Sequence, residues 1–283
     1  MKRKRKIKKK IGIVLLLIVI AVVNSSRIKN EIIPQTSVEQ QELQKEKKQA
    51  KKDYNEVSSV NQNKGTMEER LEELKRKDKR VEQILEKQDE YPEELLDMLS
   101  RNEEMIDFVL KYPENKGKTK GTTIGEIKEN DIPFLLQWDS RWGYANYKNN
   151  ILAVNGCGPT ALAMVIAGLK KENTITPYKI AKFAEENGYY VEGVGTSWSL
   201  MTKGAAFFGI KSKELPLEEN IIKRTLEKKE PIICAMGKGD FTLAGHFIVL
   251  TGIEKGKIKV QDPNSIARSQ ILWDYSRIAP QRI

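Results

Sequence analysis

The stretch VNGCGPTALAMVIAG, residues 154–168, sets Cys157 between two glycines, just ahead of a proline and an apolar run. Pro159 suits the first turn of a helix, where its missing N–H would have no partner anyway. Residues 160–167 are good helix formers, and Gly168 is a natural stop. The run is apolar on every side, so this helix belongs inside a core rather than on a surface. A thiol at its mouth meets unpaired N–H groups and the positive end of the helix dipole, which favour the nucleophilic thiolate. The flanking glycines would leave room for a substrate backbone. A free cysteine also serves as a small buried hydrophobe, so the stretch alone leaves both readings open.

The 283-residue chain has a net charge of +10, which invites a nucleic-acid partner. Eight basic residues fall within Met1–Lys10, however, and removing those eight leaves +2 for everything after. No basic face of nucleic-acid type remains, and that partner class is set aside. Behind the basic block stands Ile11–Val23 (IGIVLLLIVIAVV), thirteen residues without a charge. A basic block and a short apolar run form the pattern of an export signal; a spanning helix usually needs roughly 20 residues. Val23-Asn24-Ser25 is the nearest approach to a cleavage site, and no cysteine follows that could carry a lipid. The expectation is a signal peptide or signal-anchor over 1–26. The basic cluster then stays inside, and all later residues lie outside the membrane or are secreted.

Cys157 and Cys234 are the only cysteines, too few for a disulfide scaffold. In an exported protein they could pair with each other, which would silence a reactive Cys157.

Residues 27–65 are rich in Gln, Lys, Glu, Asn and Ser and read as a solvated helix or flexible stalk. From Thr66 a capping-box pattern opens a helix with Leu71, Leu74, Val81, Ile84 and Leu85 at helical spacing. A second helix opens at Pro92, and a third at the capping box Ser100-Arg101-Asn102-Glu103. The Lys/Gly-rich segment 115–121 reads as a linker, so 27–120 forms a helical stalk or spacer.

Beyond residue 121 the composition changes. Helices are expected at 159–168, 177–187, 197–208 and 217–229, then strands at Pro231–Met236, His246–Ile253 and Lys257–Gln261. Helices first and an antiparallel sheet afterwards indicate an α+β domain over 121–283.

His246, the only histidine, opens one strand of a hairpin. With 255–256 as the turn, position 246 lies opposite roughly 264–265, so the return strand brings Asp262 to Asn264 back toward it. An acceptor there can hold one ring nitrogen while the other faces a thiol, the arrangement of a nucleophile, its base and the base's orienter. Asp262 is the first choice for orienter and Asn264 the second. One His and two separated Cys give no metal-ligand set, and no Gly-rich phosphate motif appears, so no metal and no cofactor are expected.

Gly156-Cys157-Gly158-Pro159-Thr160-Ala161-Leu162-Ala163-Met164, then Gly245-His246-Phe247 and Asp262-Pro263, resemble the C39-like cysteine peptidases of the papain-like fold. Pro133-Phe134-Leu135-Leu136-Gln137-Trp138-Asp139-Ser140-Arg141-Trp142 is similar to the start of that domain, so the resemblance spans about 131–275. It implies Cys157 as nucleophile, His246 as base and then acid, and Asp262 as orienter. Gln137 matches the glutamine that helps to stabilise the oxyanion, although it stands twenty positions before Cys157, farther than in the bacteriocin-exporter branch. The expected protein is an extracytoplasmic thiol hydrolase acting on peptide bonds of a peptide or protein substrate. It would contact the membrane through its N-terminal segment, with its oligomeric state open. Peptidoglycan stem peptides are an alternative substrate, and a catalytically silent binding module on a helical stalk is the alternative of another class.

Overall fold

The structure is a computed structural model that describes residues 65–283 apart from 194, and the backbone of residues 17–22. The rest of the expected N-terminal segment and residues 27–64 of the expected stalk lie outside the described residues. Strand β1 is Leu17–Val22. Helices α1 (Met67–Lys77), α2 (Arg80–Leu85), α3 (Glu93–Arg101), α4 (Ile106–Leu110) and α5 (Tyr112–Asn115) follow. A short hairpin, β2 (Asn146–Tyr147) and β3 (Asn150–Ile151), leads into α6 (Leu152–Asn155), α7 (Cys157–Lys170) and α8 (Pro177–Glu186). A second short hairpin, β4 (Tyr190–Val191) and β5 (Gly195–Thr196), precedes α9 (Lys203–Phe207), β6 (Ile210–Leu215) and α10 (Glu219–Glu227). The chain ends with β7 (Ile232–Met236), β8 (His246–Glu254), β9 (Lys257–Gln261), α11 (Ile266–Gln270), β10 (Leu272–Trp273) and α12 (Tyr275–Ile278).

The main sheet has six strands in the order β10-β9-β8-β7-β1-β6, and every neighbouring pair is antiparallel. The α+β expectation holds. Every residue of β7 is buried because both sheet faces are covered. Ile233, Ala235, Phe247 and Val249 pack with the α7 core, whereas Ile232, Cys234, Ile248 and Leu250 pack with Ile222 and Leu226 of α10 and with Trp273. Side chains that alternate across a pleated strand therefore meet apolar partners on either side, which explains the continuous apolar runs. As expected of a helix apolar all round, α7 is buried from Gly158 through Gly168. It does not stop at Gly168: it continues to Lys170 and ends on Lys171 in the left-handed conformation, φ 56°. Gly168 serves packing instead, because a Cβ there would lie 2.6 Å from Ile132.

The capping box at Thr66 forms as expected, with Glu69 N–H on Thr66 Oγ1 and Thr66 N–H on the Glu69 carboxylate. At the third helix the cap falls on Asn102 rather than Ser100: Asn102 accepts from Glu104 N–H and opens a 3-10 turn, Glu103–Met105, that leads into α4. Where the sequence suggested a spacer, α1–α5 bury an apolar cluster against the rest of the protein. Leu71, Val81, Leu95, Leu99 and Val109 join Trp138, Tyr144, Ile151 and Ala153 in one core. Phe108 stacks on Tyr144 at 4.1 Å, and the Tyr144 hydroxyl donates to Phe108 O.

The N-terminal apolar run departs from its expected form. Leu17–Val22 is a strand, paired with β6 along its length and with Ile232–Cys234 of β7. No helix among the described residues is long and apolar enough to cross a membrane. A short run of Val, Ile and Leu fits a buried strand and a buried helix alike, and β-branched residues favour the strand.

Candidate active site

Cys157 is the first residue of α7, and both glycines beside it are there for packing. A Cβ on Gly156 would stand 2.2 Å from the carbonyl oxygen of Leu152, and one on Gly158 would stand 2.6 Å from Thr196. The close approach is therefore to the protein's own backbone and to Thr196, not to a substrate as the sequence suggested. Thr196 is itself fixed, since its hydroxyl shares a 3.1 Å hydrogen bond with the buried Tyr147. Gly245, next to His246, faces open space: nothing lies within 4 Å of a Cβ there.

His246 opens β8, and the β8–β9 hairpin turns through Lys255 and Gly256, with φ of 50° and 76°. The pairing slips by one between Leu250 and Gly252, so Val249 faces Gln261 and the ladder stops there. The chain then turns, with Asp262 and Ser265 forming an isolated bridge. Asp262 Oδ1 accepts from His246 Nε2 at 2.7 Å, and Asn264 N–H donates to the same oxygen at 2.8 Å. Of the two candidates, Asp262 is therefore the one bonded to the imidazole, and Asn264 supports that carboxylate through its backbone N–H.

Nε2 being committed to Asp262, Nδ1 is the ring nitrogen left free of it, and Cys157 lines the same cavity as this imidazole. Burial alone would lower the His246 pKa. The Asp262 charge and hydrogen bond outweigh it, Cys157 adds to them, and the imidazole rises to about 9. Burial would raise the Asp262 carboxyl, but His246 and then Arg268 hold it below its ordinary value. The net effect is a buried carboxylate that favours the protonated form of the imidazole beside it.

Sequence reasoning missed Arg268. Its Nε donates to Asp262 Oδ2 at 2.5 Å, and Ser269 Oγ accepts from Asp262 N–H at 2.8 Å. Both sit on α11, one turn beyond the carboxylate. A single arginine in a short polar helix carries no pattern that would single it out.

Gln137 is 2% exposed. Its N–H donates to Pro263 O, beside Asp262, and its side-chain Nε2 donates to Ala153 O at 2.6 Å with a longer contact to Val154 O at 3.4 Å. The amide is directed at the turn that presents Cys157. Gln137, Cys157, His246, Asn264 and Arg268 all line one cavity of about 640 Å³. Cys234 lies elsewhere, buried in β7 as a free thiol that burial pushes up to about 12. Cys157 is also a free thiol.

Over residues 129–281, just over half of the chain, the sequence matches the peptidase C39-like family. No curated protein matches the chain, and neither does any solved structure.

Proposed function

The chain belongs to the peptidase C39-like family, and on that premise we propose that it is a thiol hydrolase that cleaves peptide bonds through an acyl-enzyme on a papain-like plan. The observation that carries this reading is His246, held by the buried Asp262 carboxylate and lining the same cavity as Cys157. The Cys157 thiolate attacks the carbonyl carbon, and the C=O electron pair moves to oxygen. The backbone N–H of Cys157, in the first turn of α7 where N–H groups lack intrahelical partners, faces that developing charge. The side-chain amide of Gln137, which lines the same cavity as Cys157, is the other donor this reading assigns to it. The C–N bond breaks as His246 gives its proton to the leaving amine. Water then attacks the thioester, His246 takes the water proton, and the acid product leaves with the thiolate restored. Gly245 leaves the cavity open beside the imidazole for the substrate backbone.

Alkylation of the full chain with iodoacetamide at neutral pH tests the thiol, and hydrolysis of an unstructured protein against purified wall peptides tests the substrate. The wild-type Cys157 should label faster than a free cysteine, with His246→Ala slowing it. A silent binding module would label no faster than free cysteine.

The site's place outside the cytoplasm is a separate part of the proposal and rests on the eight basic residues ahead of the apolar run. One run is not in a bilayer and in a sheet at once, so an exported chain with Leu17–Val22 paired as β1 would be secreted rather than anchored by it. Protease added to intact cells should digest an exported domain; digestion only after lysis would overturn this placement.

A further inference from the structure

The α1–α5 lobe lies outside the family match, which begins at residue 129, yet two of its side chains reach the turn that carries Asp262. Asn102 Nδ2 donates to Asn264 O at 2.6 Å, and Trp138 Nε1 donates to the same carbonyl at 3.1 Å. Asn264 in turn gives its N–H to Asp262 Oδ1, the oxygen that holds His246. On the other side, the Glu104 carboxylate accepts Ile266 N–H at 2.8 Å and Ala267 N–H at 2.7 Å, capping the start of α11. That helix carries Arg268, which holds Asp262 Oδ2, and Ser269, which accepts from Asp262 N–H. Each carboxylate oxygen of Asp262 is thus tied to one lobe residue through a single intermediary, Oδ1 through Asn264 and Oδ2 through α11. Helix α3 also lines the cavity with Glu94, Asp97, Met98 and Arg101.

We propose that Asn102 and Glu104 are positioning residues of the thiol hydrolase, so that the helical lobe is a working part of its active site rather than a spacer. This rests on the hydrolase reading. The physical reason is that a base acts efficiently only when its orienter holds the ring within a few tenths of an ångström, and a carboxylate on a short turn is only as rigid as what clamps the turn. Without the two clamps the Asp262 turn would be held by Trp138, by the Gln137 N–H bond to Pro263 O and by contacts internal to the turn and α11.

The test uses the full chain with Asn102→Ala, Glu104→Ala and Glu104→Gln, and reads alkylation of Cys157 and peptide hydrolysis across pH. Loss of a clamp should lower kcat roughly tenfold to a hundredfold, the scale of a small misplacement, with KM changed by less than about twofold. The alkaline limb should also move to lower pH, because an imidazolium less well held by Asp262 loses its proton earlier. Glu104→Gln, which keeps one acceptor for the two N–H groups, should fall between wild type and Glu104→Ala, and it carries the test if Glu104→Ala does not fold. A reactive wild-type thiol together with variant pH profiles that superimpose on wild type would overturn this inference alone. A wild-type thiol no faster than that of His246→Ala would overturn the hydrolase reading, and this inference with it.

Discussion

Asp262 Oδ1 accepts the Nε2–H of His246 across 2.7 Å from a carboxylate with no solvent exposure. That contact leaves Nδ1 as the ring nitrogen not bonded to Asp262, and in the proposed hydrolase it sets the pH window of the site. His246 is raised from 6.5 to about 9, so its stabilising contribution is fully present below pH 6.5 and is lost as pH rises through about 9. Asp262 is lowered from 3.8, so its contribution is present above pH 3.8 and is lost as pH falls through its depressed value. Turnover should therefore fall on an alkaline limb near pH 9, where the proton for the leaving amine is gone. Hydrolysis and melting temperature measured from pH 5 to 10 check this. A limb centred near pH 6.5 would mean the ion pair is not formed.

His246→Ala should remove most turnover, on the order of the 10²–10⁴ that a general base supplies. Asp262→Asn should cost less turnover, since Asp262 orients the base and does not transfer the proton. It should nevertheless cost more stability than an ordinary polar change, because it leaves the Arg268 guanidinium without its carboxylate. Arg268 is 24% exposed, which puts the loss at the lower end of about 3–5 kcal/mol. Chemical denaturation of both variants checks the order: the larger stability loss in Asp262→Asn, the larger activity loss in His246→Ala.

The glycines around the site divide by what a methyl group would meet. Gly158→Ala must displace Thr196, already fixed by Tyr147, and should cost about 1–3 kcal/mol with a loss of activity from the shifted nucleophile. Gly156→Ala meets a backbone oxygen that no rotamer change relieves, and should be the worse of the two. Gly245→Ala meets nothing, so its stability should stay within about 0.5 kcal/mol while its KM changes, because the added methyl faces the cavity. Thermal melts and steady-state kinetics of the three separate packing from substrate contact.

Much of this was legible in the sequence because the signals were local. Pro159 and an unbroken apolar run marked the buried helix behind Cys157, and the short apolar runs at 232–236 and 246–254 with the alternating run at 257–261 marked the strands that carry His246 to Asp262. Strand β6 was missed because its sequence, IKSKEL, buries only Ile210 and Leu215 and shows no clean alternation. The slip between Leu250 and Gly252 changed the hairpin count, since a bulge adds a residue to one strand without any required residue type. The least legible part was the docking of the lobe. Glu104 meets Ile266 and Ala267 across more than 160 residues, and nothing in a lone glutamate announces a partner so distant.

Strand β1 makes the most exposed prediction about the fold. Val19 is paired on both sides, with Lys213 of β6 and Ile232 of β7, so it sits mid-sheet where proline is not tolerated. Val19→Pro removes a mid-sheet ladder N–H and leaves its acceptor carbonyl unpaired, a cost of about 1–3 kcal/mol. In a chain of this size that corresponds to a fall in melting temperature of roughly 2–12 °C. Val19→Ile, which keeps the β-branch and the backbone N–H, should melt like wild type. The reason to pair these variants is that a membrane segment would respond differently: a proline in an anchor lies outside the folded domain and would leave its melting unchanged. A Val19→Pro protein that melts within about 1 °C of wild type would take Leu17–Val22 out of the sheet, leave β6 and β7 without their shared partner, and return the run to the export-signal reading that its basic neighbours suggest.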